Sequence, residues 1–128
     1  MPNQILVVDD SQTVRSVITK TLVLTGLDPG DIHQAANGQD ALVFMRANPV
    51  NLVFTDINMP VMSGIAMVEI MRSTPELAGI PVVVVSTEGS RKRIDELLAT
   101  GIQAYIRKPF SPEMLGQVIE QLLGARNE

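Results

Sequence analysis

Asp9 and Asp10 stand directly after the apolar run Ile5-Leu6-Val7-Val8, and Asp56 follows Leu52-Val53-Phe54 after one threonine. Ser86 and Thr87 follow Val82-Val83-Val84-Val85, and Lys108 closes the stretch Tyr105-Ile106-Arg107-Lys108. Adjacent carboxylates repel and raise one another's pKa unless a cation is near. Hard oxygen donors without His or Cys suit Mg²⁺ or Mn²⁺, and partly hydrated Mg²⁺ takes one or two carboxylates together with phosphate. An ammonium beside such an ion, with hydroxyl and N–H donors opposite, would cradle a phosphoryl group next to a carboxylate nucleophile. Each residue also has a plainer reading: an aspartate as a turn residue or helix cap, Ser86 or Thr87 as a cap, Lys108 as a solvated lysine. What decides between the readings is whether one edge of the fold gathers them all.

The elements that would do so are legible. The three apolar runs are short and mostly β-branched, as in strands covered on both faces of a parallel sheet. Weaker strands are expected at about 31–35 and 103–106. Val14, Val17, Ile18, Thr21 and Leu22 share helical spacing, as do Met114, Leu115, Val118, Ile119 and Leu122; Ile94, Leu97 and Leu98 form a shorter stripe. Segments around 38–47 and 63–73 read as further helices. Ser111-Pro112 with Glu113 behind it marks a helix start, and Gly101 and Gly124 mark helix ends. Strand–helix alternation predicts an α/β architecture of three layers, a parallel sheet wrapped by helices on both faces. In such sheets ligands bind beyond the carboxyl ends of the strands, which is where all the residues above fall.

Composition narrows the class. With 128 residues, 45% of them apolar and 19% charged, the chain is long enough for one core. It has no cysteine, which excludes disulfides and thiolate metal sites. A net charge of -4 argues against nucleic acid or an anionic membrane as a partner. No leader-like or bilayer-length apolar run is present, so the expected setting is cytoplasmic, and the expected state monomeric.

The acidic pair Asp9-Asp10, the run Asp56-Ile57-Asn58-Met59-Pro60 through Gly64, Ser86, Tyr105 and Lys108-Pro109 together resemble the receiver domains of bacterial two-component response regulators. The likeness covers essentially the whole chain. Within the family, Ser11-Gln12-Thr13-Val14-Arg15 and Ser86-Thr87-Glu88-Gly89-Ser90 are similar to the CheY-like, chemotaxis-type receivers. This resemblance implies a flavodoxin-like (βα)5 fold with strand order 2-1-3-4-5, residues 1–128 forming a single receiver domain without an output domain. It implies Asp56 as phosphoacceptor for a CheA-like histidine kinase or a small donor such as acetyl phosphate. Asp10, Asp56 and the Asn58 carbonyl would ligate Mg²⁺, with Asp9 acting largely through water. Lys108 would pair with a phosphoryl oxygen, and its bond to Pro109 would be cis. Ser86 and the Thr87 N–H would bond the phosphoryl group, Tyr105 would follow inward, and Asn58 and Glu88 would tune dephosphorylation. The expected readout is a protein target, such as a flagellar switch, met through the fourth helix, fifth strand and fifth helix. The protein would be a signalling phosphoacceptor, catalysing only its own phosphorylation and dephosphorylation. Ser at 86 replaces the usual Thr, and Thr87 is bulkier than the usual Ala, which restricts access.

Other readings are weaker. A phosphorelay intermediate passing the group to a second histidine domain, or a receiver excised from a larger regulator, would carry the same residues. A flavin-binding protein would want a Ser/Thr/Gly-rich loop after the first strand, where this chain has two carboxylates. A haloacid-dehalogenase-type phosphatase would need D-x-D-x-T there. A non-phosphorylated interaction module would not need the full set. His33 reads as a strand-edge residue, the seven methionines as core filler, and Arg91-Lys92-Arg93 as a solvated face. Charge clustering also predicts that removing Asp10 stabilises the metal-free chain.

Overall fold

The computed structural model describes residues 3–57, 59–87 and 90–123. Its elements are β1 (Ile5–Val8), α1 (Gln12–Leu24), a 3-10 turn (Pro29–Asp31), β2 (Ile32–Ala35), α2 (Gly38–Ala47), β3 (Leu52–Thr55), α3 (Gly64–Ser73), β4 (Val82–Ser86), α4 (Arg91–Ala99), β5 (Ala104–Arg107) and α5 (Pro112–Leu123). The five strands form a parallel sheet in the order β2-β1-β3-β4-β5.

The three central strands are buried along their whole length, which is why their sequences are continuous apolar runs. Alternate residues feed two cores. Leu6, Val8, Val53 and Val84 pack against α2, α3 and α4 through Leu42, Met45, Met67, Met71 and Leu97. Ile5, Val7, Phe54, Val83 and Val85 pack against α1 and α5 through Ile18, Leu22, Leu115 and Leu123. The edge strands β2 and β5 are only partly covered, so polar residues such as His33, Gln34 and Arg107 interrupt them and their sequence signal is weak.

Helix starts are written in short polar side chains. Ser11, Asn37, Ser63 and Ser90 each accept a hydrogen bond from the backbone N–H three residues on. Ser111 does the same for Met114, with Pro112 opening α5. Gly101, at φ +98°, follows the end of α4; Gly26, at φ +107°, ends α1 in the same way and had no place among the expected helix stops. Gly124 lies outside the described residues. Three stripe residues break the expected pattern: Val17, Leu98 and Met114 are exposed. Each is next in sequence to a buried residue, Ile18, Leu97 or Leu115, and one step along a helix turns a side chain about 100° away from the core.

Candidate functional site

The sheet ladder runs one residue past its strands at the carboxyl edge. Asp9 N–H donates to Ala35 O at 3.1 Å, Asp56 N–H to Val8 O at 3.1 Å, and Lys108 N–H to Ser86 O at 2.8 Å. Backbone pairing therefore sets Asp9, Asp56, Ser86 and Lys108 on one rim, with Ser86 between Asp56 and Lys108. The Lys108 Nζ sits 3.5 Å from Asp56 Oδ2 and 3.6 Å from Asp9 Oδ2, ion pairs longer than hydrogen bonds. The bond from Lys108 to Pro109 is cis.

The two carboxylates are not equivalent. Asp9 is buried, and its Oδ1 accepts from the Ser11 N–H at 2.9 Å. Burial pushes its carboxyl above the usual carboxylate range; the Ser11 N–H and the Lys108 ammonium offset this in part, and nearby Asp56 and Asp10 add to it. Asp10 is exposed. Asp56 is half-buried, with Oδ1 held by the Ile57 N–H at 2.7 Å and Oδ2 turned to Lys108. Charge at the end of β1 is thus offset within the chain by one lysine ammonium shared by two acids.

The loop after Asp56 fixes its backbone. Thr55 Oγ1 donates to Asp56 O at 2.9 Å, and Gly64 N–H donates to Ile57 O at 2.8 Å. A Cβ at position 64 would collide with the Asp56 carbonyl oxygen, so only glycine lets α3 start this close to the acid. Between them, Met62 N–H donates to Pro60 O at 2.6 Å around Val61, whose φ is 68°. This γ-turn is a strained conformation for a β-branched residue. Gly38 N–H then ties Met62 O to the start of α2 at 3.2 Å.

Of the other expected site residues, Ser86 is buried at the end of β4 and Thr87 is exposed beyond it. Tyr105 is half-buried against the α2–α3–α4 core. Asn58 and Glu88 lie outside the described residues. Arg15 has a role that its place in Ser11–Arg15 does not announce: its Nη1 donates to Asp9 O at 2.6 Å and its Nε to Gln34 Oε1 at 3.0 Å, bracing the acidic end of β1 against β2. Arg15 lies six residues past Asp9 on a helix whose first turn reads as solvent-facing, so residue type alone gave no signal.

Asp9, Asp10 and Asp56 are all hard oxygen donors, a set that fits Mg²⁺. Among the described residues no three Asp, Glu, His or Cys side chains converge as a metal cage. An ion here would keep much of its water, as Mg²⁺ characteristically does. No helix among the described residues is long and apolar enough to cross a membrane.

Residues 5–120 match the family described as response regulator receiver domain. A chemotaxis protein CheY homolog of Campylobacter jejuni is 37% identical over 122 residues, covering 94% of this chain and 92% of its own. The structure of chemotaxis response regulator CheY4 of Vibrio cholerae superposes with a TM-score of 0.85 at 30% identity, covering 96% of this chain and all of CheY4. A sensor histidine kinase receiver domain from Pseudomonas aeruginosa, with a magnesium ion coordinated in its active site cleft, has the same fold (TM-score 0.85, 20% identity, 97% and 99% covered).

Proposed function

This chain belongs to the response regulator receiver domain family, and from that premise we propose that it is a phosphoacceptor switch of a chemotaxis-type two-component system, phosphorylated on Asp56. The observation that carries this reading is the Lys108 ammonium, 3.5 Å from Asp56 and 3.6 Å from Asp9 at the carboxyl edge of the sheet. A phosphoryl group arriving on Asp56 offers that ammonium a new, more highly charged partner.

In the proposed step an Asp56 carboxylate oxygen forms a bond to phosphorus as the donor's P–N bond (phosphohistidine) or P–O bond (acetyl phosphate) breaks. The leaving group keeps the bonding electron pair: acetate departs as the anion, and histidine departs as neutral imidazole, its other ring nitrogen already carrying a proton. Such in-line transfer needs positioning and charge neutralisation more than covalent chemistry from the protein. Asp10, Asp56 and the Asn58 carbonyl are the proposed Mg²⁺ ligands, with Asp9 reached through water. Asp9 already commits one oxygen to Ser11 N–H while Asp10 is exposed, which supports that division. When bound, the ion would neutralise charge on the phosphoryl oxygens. The Gln34- and Asp9-bound Arg15 and the close Gly64 hold the acids in place; Ser86 and the Thr87 N–H are the proposed donors to the phosphoryl group.

The product acts as a switch to the extent that its contacts differ between two states of the surface. Movement of Ser86 toward the phosphoryl group and of Tyr105 behind it would present a changed α4–β5–α5 face to a protein target. The phosphodonor proposed is a CheA-like histidine kinase in the cytoplasm.

Intact mass measured with acetyl phosphate tests this. Mass should rise by one phosphoryl group with Mg²⁺ and stay unchanged with EDTA or in Asp56→Asn. Equal uptake by Asp56→Asn would refute the reading; onward transfer to a second histidine domain would make the chain a relay intermediate. Persistence of the phosphoprotein for many hours would argue against the rapid self-dephosphorylation expected from Asn58 and Glu88.

A further inference from the structure

At the end of the sheet opposite the acids, Arg72 in the last turn of α3 binds two loops at once. Its Nη1 donates to Ala78 O at 3.1 Å and to Ile80 O at 3.0 Å, in the loop leading to β4. Its Nη2 donates to Gly101 O at 2.7 Å and reaches Gln103 Oε1 at 3.4 Å, in the turn between α4 and β5. Gln103 Oε1 also accepts from Val82 N–H at 2.7 Å, so β4 is tied into the same knot. Among the described residues no carboxylate pairs with this half-buried guanidinium; backbone carbonyls and one amide oxygen satisfy it. Gly101 lets it approach, since a Cβ there would lie 3.1 Å from Arg72 Nε.

Helix α4 is held unequally along its length. Among its described residues Leu97 alone is buried, near the carboxyl end. That end is closed by Thr100 N–H to Leu97 O at 3.0 Å, Thr100 Oγ1 to the same carbonyl at 2.6 Å and Gly101 N–H to Leu98 O at 3.3 Å. At the amino end Arg93 N–H donates to Ser90 Oγ at 3.4 Å and Ile94 N–H to Ser90 O at 2.9 Å, none of residues 91–96 is buried, and three basic residues stand against the helix dipole. Beneath the helix, Leu97, Thr100 and Ile102 meet Ile57, Gly64 and Val68 across an apolar seam too narrow for water.

We propose that Arg72 is a positioning residue that pins the foot of α4, so that α4 turns about residues 97–103 as a lever whose less buried amino end moves. The inference deepens the switch reading above and rests on it for what moves the lever; the pin itself does not depend on phosphorylation. Arg72 touches none of the proposed phosphoryl or metal ligands, so it acts through the α4–β5 turn. Low-stability segments open locally without global unfolding, and α4 would open from its amino end.

Residue-resolved hydrogen exchange tests the pin, with Mg²⁺ and beryllofluoride as the acyl-phosphate mimic. In the unaltered protein the mimic should change exchange at residues 91–96 and leave 97–103 protected. In unliganded Arg72→Met, exchange at 97–103 should quicken roughly tenfold or more as charge-assisted bonds are lost, while strands 5–8 and 52–55 stay as protected as before. In that variant the mimic's effect should spread through 97–103 at unchanged Mg²⁺ affinity, and Arg72→Lys should restore part of the protection. Unchanged exchange at 97–103, or an equal increase across the whole sheet, would overturn the proposal. Should Arg72→Met not fold, Gly101→Ala crowds the same joint and should give the same local signature; its absence would count equally against the pin. Failure of the mimic to perturb residues around Asp56 would instead count against the phosphoacceptor reading, since the unliganded comparison does not involve it.

Discussion

Two cations tie segments together at opposite ends of the sheet, and they do so with different partners. Lys108 at the carboxyl edge faces two carboxylates at distances longer than hydrogen bonds. Arg72 at the other end donates to carbonyls at hydrogen-bond distance. An ammonium held by charge alone, in partial contact with solvent, can exchange partners when a stronger anion arrives. A planar fork satisfied by fixed backbone oxygens has nothing to exchange for. The proposed site of change and the proposed fixed point thus lie at opposite ends of the sheet, and the kind of partner each cation has distinguishes them.

Removing Lys108 should break the comparison most visibly. Lys108→Met is expected to slow phosphoryl uptake from acetyl phosphate by roughly 10²–10³-fold, the usual loss when one donor to developing charge is deleted. Arg72→Met should leave that rate within a few-fold, as measured by time-resolved intact mass. Equal losses in the two variants would erase the distinction. Next in size, Gly64→Ala should cost about 1–3 kcal/mol in urea unfolding, because the added methyl must displace the Asp56 carbonyl or the start of α3. A change indistinguishable from zero would show that the loop gives way freely.

Asp9 offers a subtler test, made in EDTA. Its carboxyl holds its proton more tightly in the folded protein than in the unfolded chain, so its ionisation destabilises the fold. That loss begins as pH rises through the unfolded value of about 3.9 and is complete above the raised folded value. Asp9→Asn keeps an oxygen for Ser11 N–H, and should raise the melting temperature at neutral pH by a few degrees while flattening this part of the pH profile. An unaltered slope would contradict it. The sequence alone directs the same expectation to Asp10; Asp10 is exposed, however, and the cost of burial falls on Asp9. The smallest effect is at Val61. Its side chain is exposed and its φ is 68°, so Val61→Asn should raise stability by about 0.5–1 kcal/mol, seen as a higher urea midpoint at constant slope. A lower midpoint would mean that Val61 makes contacts its exposure does not reveal.

What was legible in the sequence follows from the same physics. Central strands are buried on both faces, so Ile5–Val8 and Val82–Val85 are hard to misread, and the edge rule then brings Asp9, Asp56, Ser86 and Lys108 together. The edge strands, only partly covered and interrupted by His33 or Arg107, give only approximate bounds. Val17, Leu98 and Met114 were misplaced because apolar residues on the flank of a stripe carry the same letters as those on its face. Two arginines have no role legible in the sequence, for a different reason. Arg15 and Arg72 act by reaching backbone carbonyls from other segments, at Asp9 and at Ala78, Ile80 and Gly101. A carbonyl is present at every position, so no pattern of residue types announces such a contact. His33 lies, as its sequence suggests, on an edge strand, with Nε2 2.7 Å from Gln4 Oε1 and its ring tilted by 37° against that of Phe44.

The central claim is that one carboxylate among several on this rim carries the phosphoryl group. Borohydride reduction of the protein after acetyl phosphate and Mg²⁺, followed by peptide mapping, reads that position directly, because an acyl phosphate is cut to the alcohol and an unmodified carboxylate is not. Conversion confined to Asp56 is the predicted result. Conversion at Asp9 or Asp10, or a reduction-resistant phosphate on Ser86 or Thr87, would contradict it.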